Sequence, residues 1–364
     1  MVEIWLLSPS CLLVAFFVAA GLAMALTPLI IKGGPIDMPR ARGSHPNPTP
    51  TSGGLSVMAA IGLTLTGLLL LVRPFPVSDP LHSGLYLLAF ASLMGLSGAV
   101  DDVMDLPARA RLLFQAVVCI CFACLFPVTN LTFGDGLTLE LPTIAGVAGT
   151  TAWLILGINA INFMDGSNGL AIGTQIIALL AFAFLIVFLG PTSASGMMLG
   201  GVLLILVAAA GGFFGLLPFN LPLGRVFQGD AGSLFGGALI TGTTVILKNH
   251  EIGSVWLGGF LLAPLLVDVV LTLILRLRQG KDLFTPHKDH LYQQWLMKMD
   301  PSHLRLSLIV WILCGFSSLV GVSARLIDHH NGSDIRFALL VCVITLYSLG
   351  WLLVRRHLSR LPDR

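Results

Sequence analysis

The chain has 364 residues, of which 55% are hydrophobic and only 10% are charged. Soluble domains carry about one quarter charged residues, so this composition excludes an ordinary soluble protein and indicates one that resides in lipid. The formal net charge of +2 gives no basis for nucleic-acid binding, and the sequence contains no nucleic-acid-binding motif.

Apolar runs long enough to cross a bilayer recur along the whole chain. A transmembrane helix needs about 20 predominantly apolar residues, and about eleven such runs are present. They predict an all-α, polytopic membrane protein that forms a single integral membrane domain over residues 1–364. The predicted spans lie at about 11–31, 53–72, 83–100, 111–129, 143–161, 169–189, 197–217, 232–247, 252–275, 305–324 and 335–354.

The basic residues predict the orientation, because Lys and Arg accumulate on the cytoplasmic side of membrane proteins. With the amino terminus outside, sixteen of the twenty Lys and Arg residues lie inside. The four that lie outside are Arg73, Lys248, Arg325 and Arg336.

The connections on the two sides differ in composition. External connections such as 130–142 have the composition of plain connectors. Transporters place ionisable groups near the bilayer midplane, so a one-sided distribution favours an enzyme at the interface. The alternative is a secondary transporter or lipid carrier with acidic gating loops. The internal segments that concentrate Asp, Asn, His, Arg and Gly lie at about 32–53, 101–111, 159–169, 218–233 and 276–304.

Three aspartates close the third predicted span as Asp-Asp-Val-Met-Asp. Asp101 and Asp105 are four residues apart and Asp102 and Asp105 are three apart, so the carboxylates can converge on one helix face. Carboxylates at a helix C-terminus repel one another and meet the negative end of the macrodipole. A bound cation would offset both effects, and all-oxygen ligands suit magnesium. The alternative is a solvated acidic cap.

A second polar segment ends the fifth predicted span and breaks into a glycine-bounded turn. Asn159 and Asn162 share a helical stripe, and Asp165 and Gly166 follow them. These amides and this carboxylate can hydrogen-bond a uridine edge, a sugar hydroxyl or a metal-bound water. The alternative is a turn followed by an ordinary helix start.

The sequence Gln-Gly-Asp-Ala-Gly-Ser at 228–233 opens the eighth predicted span. Backbone N–H groups at a helix N-terminus can receive phosphate oxygens, and Asp230 could instead hold a cation that those oxygens share. Taken alone, Asp230 or Ser233 is simply an N-cap.

The longest internal loop is rich in cations and imidazoles. It contains Arg276, His287, Lys288 and His290, which suit a diphosphate substrate because they offset charge that moves onto a leaving phosphate. His290 is the strongest candidate for phosphate contact. The alternative is a basic juxtamembrane loop attracted to anionic lipid.

Two further features are less specific. The first internal loop contains His45, several prolines and the pair Gly53 and Gly54, and paired glycines allow backbone to approach a ligand or a neighbouring helix closely. By itself the loop has the composition of a turn-rich linker. Asp268, inside the ninth predicted span, is either a functional carboxylate or a buried hydrogen-bonding group between helices.

Together these segments resemble the polyprenyl-phosphate N-acetylhexosamine-1-phosphate transferase superfamily over most of the chain. The paired aspartates of the family correspond to Asp101 and Asp102, and its Asn-x-x-Asn-x-x-Asp-Gly stretch corresponds to residues 159–166. Its Gly-Asp-x-Gly-Ser stretch corresponds to residues 229–233. The motifs occur in family order, all on the predicted inner face.

The resemblance implies that undecaprenyl phosphate attacks the β-phosphorus of a UDP-aminosugar, which releases UMP and leaves a lipid-diphosphate sugar. It implies Mg²⁺, or Mn²⁺ in its place, bound by Asp102 and Asp230, with Asp101 as the candidate base. Asp165 and His290 complete the predicted catalytic residues. The predicted substrate-binding residues are His45, Asn159, Asn162, Gly166, Arg276, His287 and Lys288.

The resemblance also implies a bacterial inner membrane, with the active site facing the cytoplasm and open to membrane lipid. Tyr292 and Gln293 stand where a histidine pair is usual, which argues against the branch that makes the peptidoglycan precursor. The first internal loop is similar to the branch that initiates O-antigen and related surface polysaccharides, although Thr51 replaces an arginine common there. The sequence does not specify the sugar, the pathway or the oligomeric state, monomer or homodimer.

Overall fold

The computed structural model describes residues 8–37, 48–71, 82–190, 199–222, 224–283, 285, 287–332 and 334–362. These residues are almost entirely helical, which confirms the predicted all-α membrane fold. In chain order the helices are α1 Pro9–Gly33, α2 Gly54–Leu71, α3 His82–Met104, α4 Ala108–Leu125, α5 Thr143–Phe163, α6 Leu170–Leu189, α7 Gly200–Asn220, α8 Gly229–Asn249, α9 Trp256–Leu261, α10 Ala263–Arg278, α11 Leu291–Lys298, α12 His303–Asn331 and α13 Arg336–Leu358.

Nine helices in the described part of the chain are long and apolar enough to cross a membrane, and all of them coincide with predicted spans. The two other predicted spans also fall on helices, one on the shorter apolar helix α2 and the other on the pair α9 and α10. The run predicted at 252–275 is interrupted at Leu262. Pro264 stands in the first turn of α10, and a proline lacks the N–H that a continuous helix would need there.

Helix α8 forms the centre of the bundle. Over a stretch of 18 residues, long enough to cross a membrane, 94% of the residues of α8 are buried, whereas in α13 only 11% are buried. Helices α3 and α5 make the most extensive contacts with α8, and α2 and α6 also pack against it. The first half of α8 is rich in Gly, Ala and Ser, and such small residues let helix backbones approach one another closely in lipid.

The connection at 130–142 is not the plain connector that its composition suggested. Two strands, Asn130–Gly134 and Leu137–Glu140, form an antiparallel hairpin. Gly136 adopts a positive φ of 71° in the turn, and β-branched threonines in both strands favour extended backbone. The Trp256 Nε1 donates a 2.6 Å hydrogen bond to the Thr132 carbonyl, so the hairpin is anchored to the start of α9.

The connections gather at two opposite ends of the bundle. At one end, Asp135 of the hairpin accepts a hydrogen bond from the Asp334 N–H at 2.6 Å. At the other end, residues Ile36–Asp37 pair with Thr49–Pro50 in a short antiparallel ladder. The described residues of the five segments predicted to be internal come together at this second end, which carries the candidate site.

Candidate active site

The N-terminus of α8 lies in close backbone contact with two other spans. Gly54 of α2 and Gly98 of α3 both face it, and a Cβ atom at either position would overlap its backbone. A Cβ at Gly54 would lie 2.8 Å from the Ala231 carbonyl carbon, and one at Gly98 would lie 2.7 Å from the Ala231 nitrogen. The Gly54 N–H also donates to the Gln228 carbonyl at 2.8 Å. Of the two roles considered for the paired glycines, the structure shows close approach to a neighbouring helix.

Asp102 caps this N-terminus from the end of α3. Its Oδ1 accepts from the Asp230 N–H at 3.0 Å, and its Oδ2 accepts from the Ala231 N–H at 3.4 Å. The Ser52 hydroxyl donates to the same Oδ2 at 2.7 Å. A carboxylate in this position satisfies N–H groups that have no intrahelical partner and meets the positive end of the helix dipole. The first loop, α3 and α8 therefore meet at one carboxylate.

Asp101 and Asp230 share one guanidinium group. Arg111, in the first turn of α4, donates through Nη1 to Asp101 Oδ2 and, at 3.0 Å, to Asp230 Oδ2. Asp101 is only 9% exposed and also accepts from the Leu106 N–H at 2.8 Å. Asp105 is exposed just beyond the end of α3. The paired aspartates of α3 thus converge with the aspartate of α8 around a positive charge.

The connection between α5 and α6 adds an amide and a further carboxylate. Asn162 Nδ2 donates to Asp230 Oδ1 at 2.8 Å and to Ser233 Oγ at 2.9 Å. Gln228 Nε2 donates to Asp165 Oδ1 at 2.7 Å. Burial raises the pKa of Asp165 well above its usual value. The Gln228 hydrogen bond lowers this pKa by less, and the carboxylates of Asp230 and Asp102 add to the rise. These residues form one polar cluster with the start of α8.

Asn159 lies one turn deeper in α5 and faces α4. Its Nδ2 donates to Gln115 Oε1 at 2.8 Å and to the Ile155 carbonyl at 2.9 Å. Gln115 is 5% exposed, so the two amides form a buried link between α5 and α4. The hydrogen bonds of Asn159 therefore support the helix that carries Asn162, and its contact with substrate stays a prediction.

The donor atoms of the carboxylate cluster suit a magnesium ion. Asp102 and Asp230 offer hard oxygen ligands, and magnesium is typically held by one or two carboxylates together with substrate phosphates instead of a closed protein cage. In the described part of the chain, no group of three or more His, Cys, Asp or Glu residues is arranged to hold a metal ion unaided. The guanidinium between Asp101 and Asp230 shows that the cluster attracts positive charge. The assignment of Asp102 and Asp230 as metal ligands stays a prediction.

Arg276 binds groups within the long internal loop, and two histidines of that loop are shielded from solvent. Arg276 is 4% exposed, and its guanidinium binds the Asp289 carboxylate and, at 2.5 Å, the Asp282 carbonyl. Burial, together with the neighbouring His290 and Arg276, lowers the pKa of His287 to about 4. Burial also lowers the pKa of His290. Both imidazoles are therefore neutral at pH 7.

His290 lies between α10 and the end of α5. It is 3% exposed, and its Nδ1 is 3.9 Å from Asp268 Oδ1. The centroid of its ring is 6.0 Å from that of Phe163, the last residue of α5. His290 thus stands next to the connection that carries Asp165, and its contact with phosphate stays a prediction.

Tyr292 stands where a histidine pair was expected and contacts the same connection. Its hydroxyl donates to the Phe163 carbonyl at 3.0 Å. The hydroxyl also lies against Gly166, where a Cβ atom would overlap it. Gly166 therefore provides space for Tyr292, a role that the sequence pattern did not indicate.

Asp268 is a hydrogen-bonding anchor between helices, the second of the two roles considered for it. Its Oδ1 accepts from the Leu291 N–H at 2.8 Å and from Trp351 Nε1 at 2.9 Å. Its Oδ2 accepts from the Tyr292 N–H at 3.3 Å. One carboxylate on α10 thereby caps α11 and holds α13, so it fixes the short helix that contains Tyr292.

We expect the substitution Asp268→Leu to lower the free energy of unfolding, because buried N–H groups would lose their acceptor. Each buried donor left without a partner costs about 1–3 kcal/mol of stability. Asp268→Asn keeps an acceptor oxygen of similar size and should lose less than half as much. Thermal melting of both purified variants in the same detergent measures the difference. Equal melting temperatures for Asp268→Leu and the wild type would contradict the anchoring role.

The remaining predicted residues have different surroundings. His45 lies outside the described residues, and Lys288 is partly exposed in the long loop. Ser52, Arg111 and Gln228 contact the carboxylate cluster but were not predicted as site residues. Ser52 lies beside the paired glycines and Gln228 beside the 229–233 motif, and these positions could have indicated that both belong to the site. Nothing in the sequence around Arg111 distinguishes it from other basic residues at the end of a span.

Comparison with known proteins identifies the family. The sequence profile of glycosyl transferase family 4 matches residues 84–248. The phospho-N-acetylmuramoyl-pentapeptide-transferase of Staphylococcus saprophyticus is 31% identical over 279 residues, which cover 72% of this chain and 78% of that protein. The chain belongs to the polyprenyl-phosphate N-acetylhexosamine-1-phosphate transferase superfamily.

The similar proteins include two kinds of enzyme from the superfamily. The decaprenyl-phosphate N-acetylglucosaminephosphotransferase of Mycobacterium leprae is 28% identical over 324 residues, 83% of this chain and 80% of that protein. A phospho-N-acetylmuramoyl-pentapeptide-transferase from a Mycobacterium species is 30% identical over 342 residues, 81% of this chain and 89% of that protein. As a superfamily member, the protein is a sugar-phosphate transferase that acts on a polyprenyl phosphate, which removes the support for the transporter alternative.

Proposed function

We propose that this transferase moves a HexNAc 1-phosphate, or a deoxy-aminosugar 1-phosphate, from a UDP-sugar to undecaprenyl phosphate and so starts a lipid-linked surface glycan. The observation that carries the proposal is the meeting of Asp101 and Asp102 of α3 with Asp230 of α8, at the end of the bundle where the polar segments gather. Carboxylates placed in this way are suited to hold one divalent cation that substrate phosphates share.

The reaction is a substitution at phosphorus that the protein assists by position and charge. An oxygen of the acceptor phosphate forms a bond to the β-phosphorus of the donor. The bond from that phosphorus to the bridging oxygen breaks, and UMP leaves with the bonding electrons. Asp101 is the candidate base for a protonated acceptor phosphate, and Arg111 and the Leu106 N–H hold its carboxylate in place.

Asp102 and Asp230 would hold the magnesium ion, for which manganese can substitute. Bound there, the ion supplies positive charge to the phosphate oxygens of the donor. The cap that Asp102 forms on α8 fixes the backbone of Asp230. Asn162 and Asp165 lie against Asp230 and Gln228, where their side chains can hydrogen-bond the donor or a water of the ion.

Two sequence features support an aminosugar donor without a peptide. Tyr292 and Gln293 replace the histidine pair, and Tyr292 fills the space beside Gly166. The first internal loop is similar to the branch that initiates O-antigen and related polysaccharides.

The cytoplasmic face of a bacterial inner membrane is the location that this function requires, since it provides the nucleotide sugar. The excess of Lys and Arg on the side of the site supports that orientation. Met104 at the end of α3 and Leu113 at the start of α4 are 65% and 68% exposed. These apolar side chains flank the carboxylate cluster, so the lipid acceptor would enter sideways from the bilayer.

The test is a donor panel with purified protein, undecaprenyl phosphate and magnesium. Radiolabelled UDP-N-acetylglucosamine, UDP-N-acetylgalactosamine and UDP-N-acetylmuramoyl-pentapeptide are supplied in turn, and lipid-extractable label and released UMP are measured. We expect equal amounts of label and UMP with at least one aminosugar donor and neither with the pentapeptide donor. Label from the pentapeptide donor alone would contradict the proposed donor class, and no label from any UDP-sugar would contradict the proposed reaction.

A further inference from the structure

Residues 165–170, which follow α5 and contain Asp165 and Gly166, are held mainly by side chains from other helices. Within the segment, the Leu170 N–H donates to the Ser167 carbonyl at 3.2 Å, and Gly169 adopts a positive φ of 77°. A non-helical turn with so little internal bonding takes its position from its surroundings. The position of Asp165 beside Gln228 therefore depends on what holds this turn.

One face of α12 supplies part of that support. His303, Ser307 and Trp311 are spaced four residues apart and lie on one side of the helix; we call them the α12 stripe. His303 Nδ1 accepts from the Asn168 N–H at 3.2 Å and lies 3.0 Å from the Ser167 hydroxyl. The Ser307 hydroxyl donates to the Asn168 carbonyl at 2.7 Å. Two residues of α12 thus bind both backbone groups of Asn168.

Trp311 extends the contact to the start of α6. Its Nε1 donates to the Gly169 carbonyl at 3.1 Å. The indole ring lies against Gly173, where a Cβ atom would overlap it. The α12 stripe therefore follows the turn from residue 167 into the next helix without a gap.

A side chain from another helix also holds the turn and connects it to the carboxylate cluster. Asn220, at the end of α7, accepts from the Gly169 N–H at 2.5 Å and donates to the Val226 carbonyl at 2.9 Å. Val226 lies two residues before Gln228, which donates to Asp165. The turn is thus fixed between α12 on one side and the segment leading into α8 on the other.

We propose that the α12 stripe positions the donor-binding turn, with His303 as its principal positioning residue. This inference rests on the proposed function, because it assigns the turn to the UDP-sugar. A backbone N–H can only donate, so His303 Nδ1 must be the acceptor and the ring carries its proton on Nε2. Without that acceptor, the Asn168 N–H and the buried Ser167 hydroxyl, 3% exposed, lose their partner.

The test compares His303→Leu with His303→Asn, since an Asn side chain can place an acceptor oxygen near the position of Nδ1. We expect His303→Leu to lower kcat/KM for the UDP-sugar about tenfold, with the KM for the lipid acceptor unchanged, and to lower the melting temperature because two groups lose their acceptor. His303→Asn should recover most of the loss. His330→Leu, at the exposed far end of α12, is the matched control and should behave as the wild type.

Hydrogen–deuterium exchange provides a readout that does not require turnover. Amides of residues 166–170 should exchange faster in His303→Leu than in the wild type or His303→Asn. Unchanged amide exchange and unchanged donor kinetics in His303→Leu would overturn the positioning role. An equal loss of kcat/KM for the UDP-sugar in His303→Leu and His303→Asn, with a lower melting temperature in both, would also overturn it. An inactive wild type with all UDP-sugars would contradict the proposed function instead, while the exchange experiment would still decide whether the α12 stripe holds the turn.

Discussion

Replacing Asp230 by Asn is expected to reduce turnover by about 10²–10³-fold while the protein stays folded in detergent. The amide keeps the size of the carboxylate, and its oxygen can still accept from Asn162 Nδ2, which lies 2.8 Å away. It lacks the negative charge that Arg111 contacts at 3.0 Å and that a magnesium ion requires. Steady-state transfer of labelled aminosugar to undecaprenyl phosphate measures the effect.

Asp105→Asn is the matched control for this experiment. Asp105 ends the same acidic sequence as Asp101 and Asp102 but is exposed, with a positive φ of 49°. Asn tolerates that backbone conformation well, so the substitution removes one charge without strain. Activity within about threefold of the wild type is expected. A loss as large as that of Asp230→Asn would show that net charge, and not the position of Asp230, controls turnover.

Gly54→Ala is expected to reduce activity about 100-fold, because a displacement of roughly 1 Å at a reacting centre can cost that much. The added methyl group would overlap backbone atoms of Gly232 and lie 2.8 Å from the Ala231 carbonyl carbon, so α2 or the start of α8 must move. Such a movement shifts Asp230 relative to Asp102 and disturbs the hydrogen bond by which Asp102 caps α8. The transfer assay and thermal melting together measure the result.

Gly62→Ala provides the control on the same helix, since no atom lies within 4 Å of a Cβ built at Gly62. We expect wild-type activity and a melting temperature equal to or above that of the wild type, because Ala has a higher helix propensity than Gly. Wild-type activity of Gly54→Ala would contradict the requirement for close backbone contact at the start of α8.

The helical architecture could be predicted from the sequence because a membrane span is a matter of length and hydropathy alone. Each predicted run falls on one helix, except the run at 252–275, which falls on the pair α9 and α10. The interruption at Leu262 was not predicted, although Pro264 provided a local signal for it. The hairpin at 130–140 was missed because a single short hairpin has a weak sequence signal, and its contact with Trp256 joins residues 124 positions apart.

The convergence of Asp101, Asp102 and Asp230 was predicted from acidic motifs at span ends on one side of the membrane. Sequence spacing could not indicate that Asp102 would bind the backbone of Asp230, because that contact depends on how closely glycines let α2, α3 and α8 approach. The contact of Tyr292 with Gly166 was likewise hidden. It becomes visible only when α11 is placed against the end of α5.

Manganese electron paramagnetic resonance, recorded with a UDP-aminosugar and without lipid acceptor, tests most directly whether the carboxylates hold one divalent cation that the donor phosphates share. We expect the wild type and Asp105→Asn to bind about one ion per chain with hyperfine coupling to phosphorus. Asp230→Asn should lose both the bound ion and the coupling. Manganese that remains free in the wild type, or a phosphorus coupling that persists unchanged in Asp230→Asn, would contradict the proposed metal site.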